Sequence, residues 1–289
     1  MGAPDDRRGR SAADAAQPAR YWFDPAMPYV ESRCACDSGA AYLPHTHPTL
    51  SIGAIDSGHS LFSTEAGPVR LSRGDVVVIP AGQVHACNPV PDGRWSYQML
   101  HLDPAWVEAV LAANGAAPAL PQALARVRIT SAADSYAALC RLNQMLFSAA
   151  PAARKEAALA GFVGVLLGGI DPRQTVRLPR PPACGQASLA RLVALLRERH
   201  AEALPLADMA RSVGLSRYQL IRAFRAETGM TPHAYQLDLR INQARRLLRA
   251  GAAPAEIAQE LGFSDQSHFQ RAFKQRVALT PRHYQRRPR

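Results

Sequence analysis

A short helical pattern is written twice in the last third of this chain. Gly214–Arg225 reads GLSRYQLIRAFR, and Gly262–Lys274 reads GFSDQSHFQRAFK. The agreement extends outward on both sides. Leu206-Ala-Asp-Met-Ala210 is echoed by Pro254-Ala-Glu-Ile-Ala258, and Thr231-Pro-His-Ala-Tyr-Gln236 by Thr280-Pro-Arg-His-Tyr-Gln285. Each copy predicts a short helix, a turn that contains glycine, and a second helix capped by Ser216 or Ser264. Ala210 and Ala258 are small where the paired helices would cross. Leu215, Leu220 and Phe224 would fill one core, and Phe263, Phe269 and Phe273 the other. Core letters kept while exposed letters change define two helix-turn-helix units of one design.

The exposed letters suit base reading. The first outward face presents Arg217, Tyr218, Ile221, Arg222 and Arg225; the second presents Gln266, Ser267, Gln270, Arg271 and Lys274. Arginine suits guanine O6 and N7, glutamine suits adenine, and an apolar or aromatic group can meet a thymine methyl. Between the units, Pro232–Ala250 predicts one helix of 19 residues, about 28 Å long at ~1.5 Å per residue. One turn of DNA is about 34 Å. Charge points the same way: from Ser188 to Arg289 there are 18 Lys and Arg against 8 Asp and Glu, whereas residues 1–187 hold 16 against 15. Nearly all of the formal +11 therefore sits beside the duplicated units, where clustered guanidinium groups would hold phosphates. Only Lys155 and Lys274 are lysines, so an arginine-rich composition contributes to the charge. A helical bundle without nucleic acid would account for the helices alone. Duplication, spacing and charge together point to double-stranded DNA as the partner.

The first part of the chain has a different period. Residues 21–102 alternate short apolar runs with turn signals such as Glu65-Ala-Gly-Pro68 and Pro80-Ala-Gly82, which predicts a small β-barrel or jelly roll. Trp95, Tyr97, Met99 and His101 would share one strand face. Asp103-Pro104 opens a helix, and 132–147 and 155–167 carry apolar residues at helical spacing. Residues 171–187 hold four prolines and no periodicity, and read as a linker to a helical domain over 188–289; residues 1–20 read as a disordered lead-in. The five cysteines follow no disulfide spacing, and Cys34-Ala-Cys36 reads as a coincidence on a strand. Without an apolar leader or a run near the ~20 residues of a membrane span, a cytoplasmic protein with no membrane partner is expected.

Residues 188–287 resemble the DNA-binding domain of AraC/XylS-type transcriptional regulators, through LSRYQLIRAFRAETGMTP, Arg240…Ala244…Leu247-Leu248, and IAQELGFSDQSHFQRAFKQRVALTPRHY. One departure is Ala278, where the family usually has glycine, at the end of a helix. In the first half, His45-Thr-His47 and Gly74-Asp-Val-Val-Val-Ile-Pro80-Ala-Gly82-Gln-Val-His85 resemble the two cupin motifs. The resemblance implies a multidomain α+β chain: a cupin-like effector-binding barrel with dimerisation helices over 21–170, then an all-α domain of two helix-turn-helix units joined by a long helix. It implies a homodimer contact through the helices near 132–147 and 155–167, whose apolar stripes would equally pack on the barrel.

Metal-binding cupins add a glutamate shortly after the paired histidines, where this chain has Ser51 and Ile52. His45, His47 and His85 would still offer three imidazoles to Zn²⁺, Fe²⁺ or Ni²⁺; the alternative is a metal-free barrel with histidines lining a pocket. Tyr42, His45, His47, His85, Trp95, Tyr97 and His101 are the candidate ligand-binding residues, each equally able to serve as core or rim. The function expected is a ligand-responsive transcription regulator without catalytic activity. A metal-dependent cupin enzyme with an accessory DNA-binding domain is the rival, and the missing glutamate weighs against it. A DNA-binding architectural protein with an inert barrel is a third reading.

Overall fold

A computed structural model of the 289-residue chain describes residues 19–115, 126–168, 175–177 and 187–286. The described residues of the first part hold ten strands: β1 Arg20–Phe23, β2 Val30–Ser38, β3 Leu50–Ser57, β4 His59–Thr64, β5 Gly67–Ser72, β6 Val76–Ile79, β7 Ala86–Pro89, β8 Trp95–Leu102, β9 Arg128–Thr130 and β10 Thr175–Arg177. They form a seven-stranded sheet ordered β1-β2-β8-β3-β6-β9-β10 and a three-stranded sheet ordered β5-β4-β7. All pairings are antiparallel.

Alternation along the strands sorts the side chains into two layers. Phe62, Leu71, Val77, Ile79, Trp95 and Tyr97 fill the space between the sheets. Leu50, Ile52, Leu100 and Leu102 point from the same large sheet the other way. That outer face is covered by α1 Pro104–Ala113, α2 Ala133–Leu146 and α3 Ala152–Gly168. Leu139, Leu142, Leu146, Leu159, Phe162 and Val163 are buried in this layer, each worth about 1.5–3 kcal/mol relative to exposure. The apolar stripes of α2 and α3 are thus used in packing on the barrel, the second of the two readings open in the sequence.

Two boundaries are corrected. Arg20, assigned to the lead-in, opens β1 against β2, with Arg20 opposite Cys34; residues 1–18 of that lead-in lie outside the described residues. The segment read as a structureless linker contains β10, which pairs with β9 through Thr175–Thr130 and Arg177–Arg128. Its backbone hydrogen bonds are supplied by a sheet edge that no local pattern announces.

The helical half contains α4 Ala187–Glu198, α5 Leu206–Ser212, α6 Arg217–Thr228, α7 Pro232–Arg249, α8 Pro254–Glu260, α9 Gln266–Val277 and α10 Pro281–Gln285. Helix α7 runs through both cores: Tyr235 packs with Leu220 and Phe224, while Ile241, Ala244 and Leu248 pack with Phe269 and Phe273. Both turns use a left-handed glycine, Gly214 at φ 70° and Gly262 at φ 69°. Ser216 caps α6 in a reciprocal capping box with Gln219. The cap of α9 is Asp265, whose side chain accepts from the His268 N–H. Ser264, expected there, instead donates its hydroxyl to Asp265 at 3.1 Å; a carboxylate near a helix N-terminus is the stronger acceptor. Helix α9 ends on Ala278 in the left-handed region at φ 59°, so the glycine-type ending survives without glycine.

Candidate functional site

The ten residues expected to face DNA are placed on α6 and α9 away from the cores. Arg217, Tyr218, Arg222 and Arg225 are exposed and Ile221 is half-buried; Ser267, Gln270, Arg271 and Lys274 are exposed and Gln266 is half-buried. Tyr218 is 68% exposed, which is unusual for a large ring and marks a surface left open. The Arg222 guanidinium lies 5.7 Å from the Tyr218 ring centre. The mutual placement of the two units rests on Arg240 of α7. It donates to the carbonyls of His200 at 2.7 Å, Glu202 at 2.9 Å and Gly262 at 2.6 Å. One guanidinium thereby ties the turn of the second unit to the loop before the first.

The opposite side of α7 lies on the barrel. Asp238, Asn242, Arg245 and Arg249 recur at helical spacing and form a polar stripe. Thr46 donates its hydroxyl to Asp238 at 2.5 Å and receives a bond from Asn242 at 2.8 Å. Arg245 reaches His47 Nδ1 at 2.8 Å, and Arg249 pairs with Glu31. Val84 of the barrel is buried in the core of the first helix-turn-helix unit.

Between barrel and rod lies a cavity with about 870 Å³ of empty space, partly open to solvent. All seven residues named from the sequence as ligand candidates line it, and its other walls include Arg33, Arg245 and Arg249. The histidines meet because residues 45 and 85 form an antiparallel bridge, His45 N–H donating to His85 O at 2.9 Å and the reverse at 3.0 Å. Their rings stand 4.6 Å apart, and His47 lies 4.8 Å from His45 and 4.6 Å from His101. Burial, with neighbouring positive charge, holds His45 and His47 well below the ordinary histidine range, and burial pushes His85 down to about 4. These three rings are neutral at physiological pH.

The donor set can be tested against a metal. His45 Nδ1 must donate to the Leu43 carbonyl at 2.8 Å and His85 Nδ1 to the Gln83 carbonyl at 2.9 Å, which leaves both Nε2 lone pairs free. Candidate ligand atoms of His45, His47 and His85 lie within 4.8 Å of one another. His47 fails, however. Arginine only donates, so its contact takes the Nδ1 lone pair and puts the ring proton on Nε2. With five arginines in the wall and Glu31 as its acid, the site as folded does not suit a cation.

Sequence reasoning missed Arg33, Glu31 and the barrel-facing stripe of α7. The stripe was legible as periodicity, but nothing local says what covers it.

Comparison with known proteins divides the chain in the same way. Residues 209–287 match the helix-turn-helix domain family and residues 28–161 the AraC-like ligand binding domain family. The chain belongs to the AraC family of transcription regulators. Among AraC-family relatives, the regulator YbfI of Bacillus subtilis is 28% identical over 78% of this chain and 80% of its own. The transcriptional activator RhaR of Escherichia coli is 24% identical over 83% of this chain and 86% of its own. In fold, the chain resembles ToxT of Vibrio cholerae solved with a bound unsaturated fatty acid, at TM-score 0.55 and 13% identity over 93% of this chain and 95% of that one. It resembles an apo variant of ToxT from the same organism at TM-score 0.56 and 13% identity, over 90% and 97%. As an AraC-family regulator the chain couples a ligand-binding domain to a helix-turn-helix domain, and among its described residues no helix is long and apolar enough to cross a membrane.

Proposed function

We propose that the protein is a cytoplasmic regulator in which a small organic effector, bound in the cavity, alters how the two reading helices sit on promoter DNA. Helices α6 and α9 enter successive major grooves, spaced by the 18-residue α7, about 27 Å long against the ~34 Å turn of the duplex. Arg222 and Arg271 are the first candidates for guanine, Gln270 for adenine. The chain divides into an effector half from β1 through β10 and a DNA-reading half that opens with α4.

The observation that carries this reading is that both halves build the cavity wall, His45 and Arg33 from the barrel and Arg245 and Arg249 from α7. A molecule bound there touches sensor and rod together, and so has the differential contacts that a switch needs. The unsaturated fatty acid bound by ToxT supports a small organic ligand in this fold. Homodimerisation is assigned to the outer surface of α2 and α3, where Val165 stays 72% exposed. The relatives named are regulators, and Ser51 and Ile52 stand where a metal-binding cupin carries its glutamate, which supports a non-catalytic role.

Footprinting of the full chain tests the proposal. Two protected patches about one helical turn apart are expected, with a pattern that changes when a small-molecule extract of cells is added. A single patch would remove the two-groove reading, and an extract without effect would remove the effector.

A further inference from the structure

The cavity is lopsided in charge. Arg33, Arg245, Arg246, Arg249 and Arg276 line it, while Glu31 is its one acidic lining residue among the described residues. Glu31 is paired with Arg249. Asp238, behind the wall, answers Arg276 at 3.9 Å. Arg33 has no such carboxylate among the described residues. It donates to the Tyr42 hydroxyl at 2.6 Å, and its Nε is buried without a hydrogen-bond partner. The rings of Tyr21, Tyr42 and Tyr97 surround its guanidinium at 5.3, 5.6 and 5.4 Å. Arg33 is half-buried; arginine stays protonated in a folded protein, and the part of its charge withdrawn from water is costly unless it is paired. Tyrosine faces return only about 0.5–2 kcal/mol each. The barrel therefore keeps a positive charge that it does not itself neutralise.

Beside that charge the wall is flat and aromatic. Trp95 and Tyr97 stack at 4.1 Å with an interplanar angle of 26°. The Trp95 indole N–H is buried and lacks a partner, a second donor awaiting an acceptor.

We propose that the cavity takes a compact aromatic carboxylate, its carboxylate paired with the Arg33 guanidinium and its ring laid along Trp95 and Tyr97. This rests on the reading of the cavity as the effector site and names the ligand class. A carboxylate matches the fork of a guanidinium in bidentate geometry and carries the one negative charge that Arg33 lacks. A neutral amide can accept one hydrogen bond from Arg33 but brings no charge and no second acceptor oxygen, and a cation meets five guanidinium groups.

The test uses the full chain with benzoate and cinnamate beside benzamide and cinnamamide, followed by thermal melting and Trp fluorescence. A carboxylate should bind at least about tenfold more tightly than its amide, a difference of ~1.4 kcal/mol. Arg33→Gln should abolish the preference and Arg33→Lys keep part of it, which separates charge from a fold defect. Equal responses to acid and amide, an Arg33→Gln chain that still prefers the acid, or no response to either overturn the proposal. A small-molecule extract split by anion exchange distinguishes the two levels of failure. Footprint-altering activity in the retained fraction supports the anion. Activity confined to the flow-through sinks the carboxylate while the effector reading stands, and activity in neither fraction sinks both.

Discussion

Thr46 of the barrel and Asp238 of α7, 192 residues apart, meet through a single carboxylate oxygen: the Thr46 backbone N–H donates to Oδ2 at 3.1 Å and its hydroxyl at 2.5 Å. Asp238 is 1% exposed, and Arg276 lies 3.9 Å from its other oxygen. This contact joins the sensor to the rod that carries both reading helices.

Asp238→Ala should therefore destabilise the full chain by about 3–5 kcal/mol, because it strands a buried guanidinium as well as removing hydrogen bonds. Asp238→Asn should cost less, since an amide oxygen still accepts from Thr46. Calorimetry of the two variants checks the order. An alanine variant that melts like the parent would show that the contact carries no energy.

Stability should fall as pH drops from about 6.5 towards 4. The unfolded histidine value is ~6.5, while burial lowers His85 to about 4 and His45 and His47 well below their ordinary range. The unfolded chain then binds protons that the folded chain does not, and stability present above 6.5 is lost on acidification, about 3 kcal/mol for His85 alone. Asp238 acts with the opposite sign: burial raises it to about 6, so the folded chain takes up that proton first and gains stability as pH falls through 6. Three groups outweigh one. Urea midpoints that stay level or rise between pH 7 and pH 5 would contradict the assignment.

The two turn glycines should respond differently to alanine. At Gly214, φ 70° with nothing within 4 Å of an added Cβ, the cost is the left-handed strain of about 1–2 kcal/mol. At Gly262 the added carbon would sit 2.1 Å from the Ala201 carbonyl oxygen, and the backbone must move. Gly262→Ala should lower the melting temperature well beyond Gly214→Ala; equal effects would refute the close approach.

Arg222→Ala and Arg271→Ala should each weaken a specific DNA site by about 1–3 kcal/mol and relax base preference at one position. Lys274→Ala removes a point charge without the bidentate fork of arginine, and should instead weaken all sequences alike and reduce the salt slope by about 1. Titrations on matched operator variants distinguish these outcomes, and wild-type binding by both arginine variants would remove the base-reading roles.

Much of the architecture was legible locally. The paired motifs announced two helix-turn-helix units, because helical period, turn glycine and core letters all act within about 25 residues. The alternation of Trp95, Tyr97, Met99 and His101 placed them together on the cavity wall. Ser264 occupies the position that Ser216 holds in the first unit, but Asp265, one residue on, also suits a cap, and the backbone places its carboxylate rather than the serine hydroxyl at the helix start. The strand in 175–177 was invisible because three residues carry no period of their own and need the edge of β9.

From its letters alone the chain determined its two halves, its duplicated reading heads and the outward faces of those heads, since each depends on short-range periodicity and side-chain chemistry. Tertiary structure decided that the polar stripe of α7 closes on the barrel, that Arg245 takes up His47, and that Arg33 stands among tyrosines with no carboxylate beside it among the described residues. The first two are electrostatic and steric relations between segments some 200 residues apart in sequence, and the third gathers rings from separate segments of the barrel. Only packing sets the distance and the solvent exclusion on which their energy depends.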